Sequence, residues 1–137
     1  MNILRKYNLR KGTTIVEAAI VLPLLLLLTF GAFKYGWLFF KHQQIINTAR
    51  QVARVAIRPG DRTTDIMAEF NRQVARCNIA GADYSPKDGA NVSTGSDVIV
   101  RVWVSTANVD ILDIKMFPSV MTPDELAAEI KMTKEGF

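Results

Sequence analysis

The chain has 137 residues, 49% hydrophobic and 22% charged, which leaves room for one small globular domain beside a membrane helix and none for two soluble domains. Its net charge of +4 sits in Arg5, Lys6, Arg10 and Lys11; of 17 basic side chains, 13 remain after residue 12, against 13 acidic ones, so a polyanion-binding role, nucleic acid included, is not implied. The single cysteine, Cys77, makes an intramolecular disulfide impossible, and no Walker-type or dinucleotide-type glycine loop is present.

In chain order, a basic cluster stops at Gly12, a lone carboxylate follows at Glu17, and the sixteen residues from Ala18 to Phe33 carry no charge. As a helix this run rises ~24 Å, short of a ~30 Å hydrocarbon core, but Lys34 can snorkel and Tyr35 to Phe40 continue the apolar surface. The run can span a bilayer. It is too long for an ordinary secretory signal, and no small-x-small cleavage pattern follows before Lys34. Lys34, Lys41, Arg50 and Arg54 on one side match the four basic residues on the other, so charge alone does not fix the topology. A carboxylate at the start of a membrane helix is either tolerated near the headgroups or has a partner. Were the chain cut after Gly12, the new ammonium of Thr13 would lie one turn before Glu17, close enough to pair within one chain or between neighbours.

The helical pattern continues past the apolar run. Ile45, Ile46, Ala49, Val52, Ala53, Ala56 and Ile57 form one face, and Arg50, Arg54 and Arg58 run along another. The spacing predicts a helix of roughly 45 residues, ~65 Å long, ended near Ile57 by Arg58-Pro59-Gly60-Asp61 and kinked at Pro23. Trp37, Phe39 and Phe40 suit an interfacial aromatic belt.

A second helix is predicted over Thr64–Cys77. Thr63 or Thr64 would cap it, Asp65 and Glu69 suit its positive end, and Ile66, Phe70, Val74 and Cys77 form a face to pack on the long helix. Asn78–Gly95 reads as a loop with one short extended piece near Asn91–Ser93. Asp97–Ser105 is the clearest strand, with Val98, Val100, Val102 and Val104 on a single face. Val109–Phe117 is a second candidate strand, stopped by Pro118. Thr122-Pro123-Asp124-Glu125 looks like a helix start, but Leu126, Ala128, Ile130 and Met132 alternate with more polar residues, and strand is preferred from about Ala127 to Lys134.

Catalytic groupings are sparse. His42 reads as a solvated residue of the helix surface, and the pairs Asp110/Asp113 and Asp124/Glu125 as solvated charges without a nucleophile motif. No metal, cofactor or enzymatic activity is expected. Cys77 is either buried at the end of the second helix or available for an intermolecular bridge.

The basic leader, Gly12, Glu17 at the fifth position after it and the long apolar helix resemble a type IV prepilin. Pro23 within Val21-Leu22-Pro23-Leu24-Leu25-Leu26-Leu27-Leu28, and the Ala/Arg tract from Asn47 to Ala56, resemble the TadE-type minor pilins, or pseudopilins, of the tight adherence (Tad/Flp) type IVb pilus system. The resemblance covers residues 10–57 well and the rest in outline. Ala18 and Ala19 stand where major Flp pilins usually carry an aromatic residue, which favours a minor component. The expected fold is α+β: a long transmembrane helix extending outside the membrane, a second helix and a small antiparallel sheet. The resemblance implies a leader at residues 1–12, a transmembrane and assembly helix at 13–58 and an extracytoplasmic, periplasmic domain at 59–137. It implies cleavage between Gly12 and Thr13 by prepilin peptidase, with Glu17 compensating the terminal amine of a neighbour during assembly. The implied location is the inner membrane, crossed once, or the pilus itself. The implied partners are prepilin peptidase, other pilin and TadE/TadF-type subunits, the inner-membrane assembly platform and the lipid bilayer, with adhesion as the outcome. The alternative is an uncleaved single-pass scaffold of the pilus secretion machine.

Overall fold

A computed structural model of the chain describes residues 10–60, 62–87, 93–109, 123–134 and 136. The elements are α1 (Arg10–Ala56), α2 (Thr63–Cys77), β1 (Asp83–Ser85), β2 (Asp97–Ser105), α3 (Thr106–Val109) and β3 (Glu125–Thr133). The architecture is α+β, as expected. The chain divides inside α1 into two compact units, one ending at Tyr35 and the other beginning at Gly36.

In the first unit α1 runs unbroken through Pro23, whose missing N–H leaves the carbonyl of Ala19 without its usual helical partner. Downstream, the Thr29 hydroxyl donates back to the carbonyl of Leu25 at 2.7 Å, so a polar side chain is satisfied within the apolar run. The large apolar side chains here face outward: Ile20, Leu24 and Leu28 are each about 70% exposed. The helix is long and apolar enough to cross a membrane, and its most apolar window buries nothing inside the chain.

The second unit is built on a three-stranded antiparallel sheet in the order β1-β2-β3. The alternation of β2 puts Val98, Val100, Val102 and Val104 at 2% exposure or less, and β3 lies beside it in a register that sets Val102 opposite Ala128 and Val104 opposite Leu126. Against this stripe α1 contributes Ile45, Ala49, Val52, Ala53 and Ala56, and α2 contributes Ile66 and Phe70. Small residues dominate the α1 face. The valines supply most of the volume on the facing side.

α2 begins one residue earlier than the spacing predicts. Neither Thr63 nor Thr64 occupies the cap position: Arg62 does, and no side-chain cap hydrogen bond forms there. Its guanidinium instead ties the turn, donating to the carbonyl of Pro59 at 3.1 Å and to Asp65 at 2.9 Å. At the other end Asn78 adopts a left-handed φ of 48°, its N–H donates to the carbonyl of Ala75, and the Ile79 N–H donates to the carbonyl of Val74 at 3.2 Å. This is a Schellman closure, with buried Ile79 as its apolar contact.

Three local expectations change. The extended piece in the loop is Asp83–Ser85, where Tyr84 is buried with its ring centroid 4.5 Å from that of Phe70; of the expected Asn91–Ser93 piece only Ser93 lies within the described residues, and it is not in a strand. A three-residue edge strand has too little sequence to show a period, and pairing with β2 defines it. The candidate strand Val109–Phe117 begins on the last residue of α3 and otherwise lies outside the described residues. The C-terminal segment is a strand, and it starts at Glu125, two residues before the expected boundary. The competing helix-start signal around Pro123 is not used, in keeping with the preference for a strand. Thr106 instead takes the carbonyls there, its N–H donating to Asp124 at 3.0 Å and its hydroxyl to Pro123.

Candidate assembly and processing segment

Gly12 is the third residue of α1 and Thr13 the fourth, both exposed. The first turn of a helix lacks intrahelical partners for its N–H groups, so this stretch is the least costly part of α1 to unwind. A Cβ added at Gly12 would meet nothing within 4 Å, so no packing among the described residues requires glycine there. Glu17 lies one turn beyond Thr13, ~6 Å along the axis, and is exposed. Among the described residues it makes neither a hydrogen bond nor an ion pair. Ile15, Val16, Ile20 and Val21 surround it on the helix surface, each at least 50% exposed. A carboxylate set in an apolar surface with no internal partner is costly in lipid, and a cation brought by another group would relieve that cost.

Three α1 side chains in the second unit make long-range bonds that the sequence does not announce. The Trp37 indole N–H donates to the carbonyl of Val109 at 2.7 Å, so Trp37 is half-buried and engaged by the domain, while Phe39 and Phe40 remain exposed. Lys41 is buried; its ammonium donates to the carbonyls of Cys77 at 3.0 Å and Asn78 at 3.2 Å and lies 5.1 Å from the centroid of the Trp37 ring. It therefore places a cation on the negative end of α2. His42 is half-buried with Nε2 3.2 Å from the carbonyl of Ala127, not solvated, because β3 closes over it. Lys34, expected to reach out toward water, is buried and has a partner.

Elsewhere, Cys77 is a half-buried free thiol, and Glu125 pairs with Arg101 at 2.6 Å. Asp110 and Asp113 lie outside the described residues. Among the described residues no three His, Cys, Asp or Glu side chains converge as metal ligands would. Two carboxyls are held below the usual aspartate range: Asp97 by its hydrogen bond to Lys131 and Asp83 by its hydrogen bond to Lys87.

The arrangement defines a class: an α+β domain and a helix able to cross a membrane, with a carboxylate near the start of the apolar surface that has no partner among the described residues. Residues 12–54 match the family model described as TadE-like protein, so the segment that holds Gly12, Glu17, Pro23 and most of the Ala/Arg tract is similar to that family. Comparison with curated proteins and with solved structures gives no match. The TadE-like match supports involvement in the Tad pilus and association with other components of it.

Proposed function

We propose that the chain is a structural minor pilin, or pseudopilin, of a Tad/Flp pilus and not an enzyme. Prepilin peptidase removes residues 1–12, and the mature protein, beginning at Thr13, stands in the inner membrane with the unit from Gly36 onward outside the cytoplasm. The observation that carries this reading is Glu17: a lone, unpartnered carboxylate five residues after a glycine, on a helix whose apolar side chains face outward, inside a TadE-like segment that begins at that glycine. In assembly, apolar helices pack side by side and Glu17 offsets the Thr13 ammonium of a neighbour. That contact fixes the axial offset of two helices that apolar packing alone leaves free to slide.

The test is intact mass with N-terminal sequencing of the chain expressed with and without its prepilin peptidase. A chain starting at Thr13 only when the peptidase is present is the expected result. Retention of Arg5 to Lys11 in both samples would replace this reading with an uncleaved scaffold of the pilus machine, for which α1 already being helical from Arg10 through the Gly12–Thr13 bond is the supporting observation.

A further inference from the structure

The outer half of α1 has two faces, and only one is used by the domain. Ile45, Ala49, Val52, Ala53 and Ala56 are buried, whereas Arg50 and Arg54 are exposed on the far side with Gln43, Asn47 and Gln51 around them, and Arg58 is exposed in the bend just past the helix end at Ala56. Arg50 and Arg54 are one turn apart, ~6 Å along the axis, and Arg58 follows four residues later, its N–H still donating back to the carbonyl of Val55. Among the described residues none of the three makes a hydrogen bond or an ion pair, a lack shared by only one other exposed arginine, Arg76 on α2. Other exposed cations of this unit do find carboxylates: Arg72 with Glu69, Lys87 with Asp83, Arg101 with Glu125 and Lys131 with Asp97. The domain therefore pairs much of its surface charge and leaves a run of one sign along the end of the helix and the bend that follows it.

We propose that Arg50, Arg54 and Arg58 form a docking surface for a protein helix that carries carboxylates at the same one-turn spacing. Guanidinium groups bind carboxylates in a planar, two-point fashion, so a row of three reads both the charge and the spacing of the partner. The exposed amides of Gln43, Asn47 and Gln51 add neutral hydrogen-bonding groups along the same strip. Anionic lipid is the poorer fit. Phe40 closes the exposed apolar run, and Arg50 and Arg54 follow it by ~15 and ~21 Å of helix, with Arg58 just past the helix end. The headgroup layer extends only about 5–8 Å past the hydrocarbon, and charge is screened over ~8 Å at physiological salt.

The proposal does not depend on leader cleavage and is measured on the purified full chain in nanodiscs of zwitterionic lipid. The probe is a labelled helical peptide with three glutamates four residues apart. Its control is an isomer with the same three glutamates spread around the helix. The in-register peptide should bind at least tenfold tighter than the isomer, and at least tenfold tighter to the native chain than to Arg50→Gln/Arg54→Gln/Arg58→Gln, with the thermal midpoint of the variant unchanged. If the triple variant does not fold, Arg54→Lys decides: it keeps the charge, loses the two-point geometry, and should weaken binding several-fold. Equal binding of the two peptides, or binding indifferent to the arginines, overturns the proposal. So does arginine-dependent binding that appears only with vesicles containing anionic phospholipid.

Discussion

At the scale of single residues, position decides role more than chemical type does. Glu17 and Glu125 are both exposed carboxylates, yet Glu125 pairs with Arg101 and Glu17 has no partner among the described residues. Glu17→Ala should leave cleavage intact and abolish incorporation into pili, read by mass of the mature chain and by its absence from sheared surface fractions; normal incorporation would end the assembly role. Gly12→Leu should instead block cleavage with no loss of folding, since the site touches nothing else in the fold. Lys41→Met should destabilise the domain by about 1–3 kcal/mol, because two carbonyls at the end of α2 lose their donor, and lower its melting midpoint by about 4–8 °C per kcal/mol. The carboxyls of Asp97 and Asp83 sit lower in the folded state than in the unfolded chain, so what they contribute is present above the ordinary aspartate pKa of ~3.9 and disappears as pH falls from there through their lowered values. Asp97→Asn should accordingly flatten the pH dependence of the midpoint below about pH 4 and leave it little changed near neutrality. Lys41, Trp37 and His42 could not be assigned from sequence because each bonds a main-chain carbonyl 36, 72 or 85 residues away, and a carbonyl has no residue-type signature.

At the scale of elements, what was legible was what repeats. The valines of β2 and the apolar face of α2 are local periodicities, and the structure places both where the spacing predicts. β1 is three residues long and exists only through its pairing with β2, so nothing within it could have marked it. The conflict at the start of β3 was settled by tertiary bonds: Thr106 takes the carbonyls of Pro123 and Asp124, and the alternating residues that follow complete the sheet. Register there is held mainly by the buried stripe, since a slip of one residue would turn Leu126 and Ala128 outward. The exposed pairs Arg101–Glu125 and Lys131–Asp97 are screened by solvent and add little to this. Val102→Ala, at a site 1% exposed, should therefore cost about 2 kcal/mol, measured by chemical denaturation, whereas Arg101→Gln should cost well under half of that.

At the scale of the whole molecule, every buried apolar residue of the core lies at Leu38 or beyond, although α1 itself starts at Arg10. The unit from Gly36 onward should consequently fold cooperatively when produced without the first 35 residues, seen as a single thermal transition by circular dichroism. A non-cooperative melt would show that the apolar half of α1 is required. Charge is divided in the same manner: the basic excess belongs to residues 1–12, and the remainder is formally neutral. The sheet adds a constraint of time. β2 pairs with β3 across the intervening residues 106–124, and β3 is the final described strand, so Ser105 and Glu125 become neighbours only after the segment between them has been made. A chain emerging from the ribosome thus exposes the apolar run of α1 while the valine stripe still lacks one flank. On the proposed reading, in which that run enters the bilayer, anchoring precedes closure of the core, and the unfinished sheet waits at a membrane surface and not free in solution.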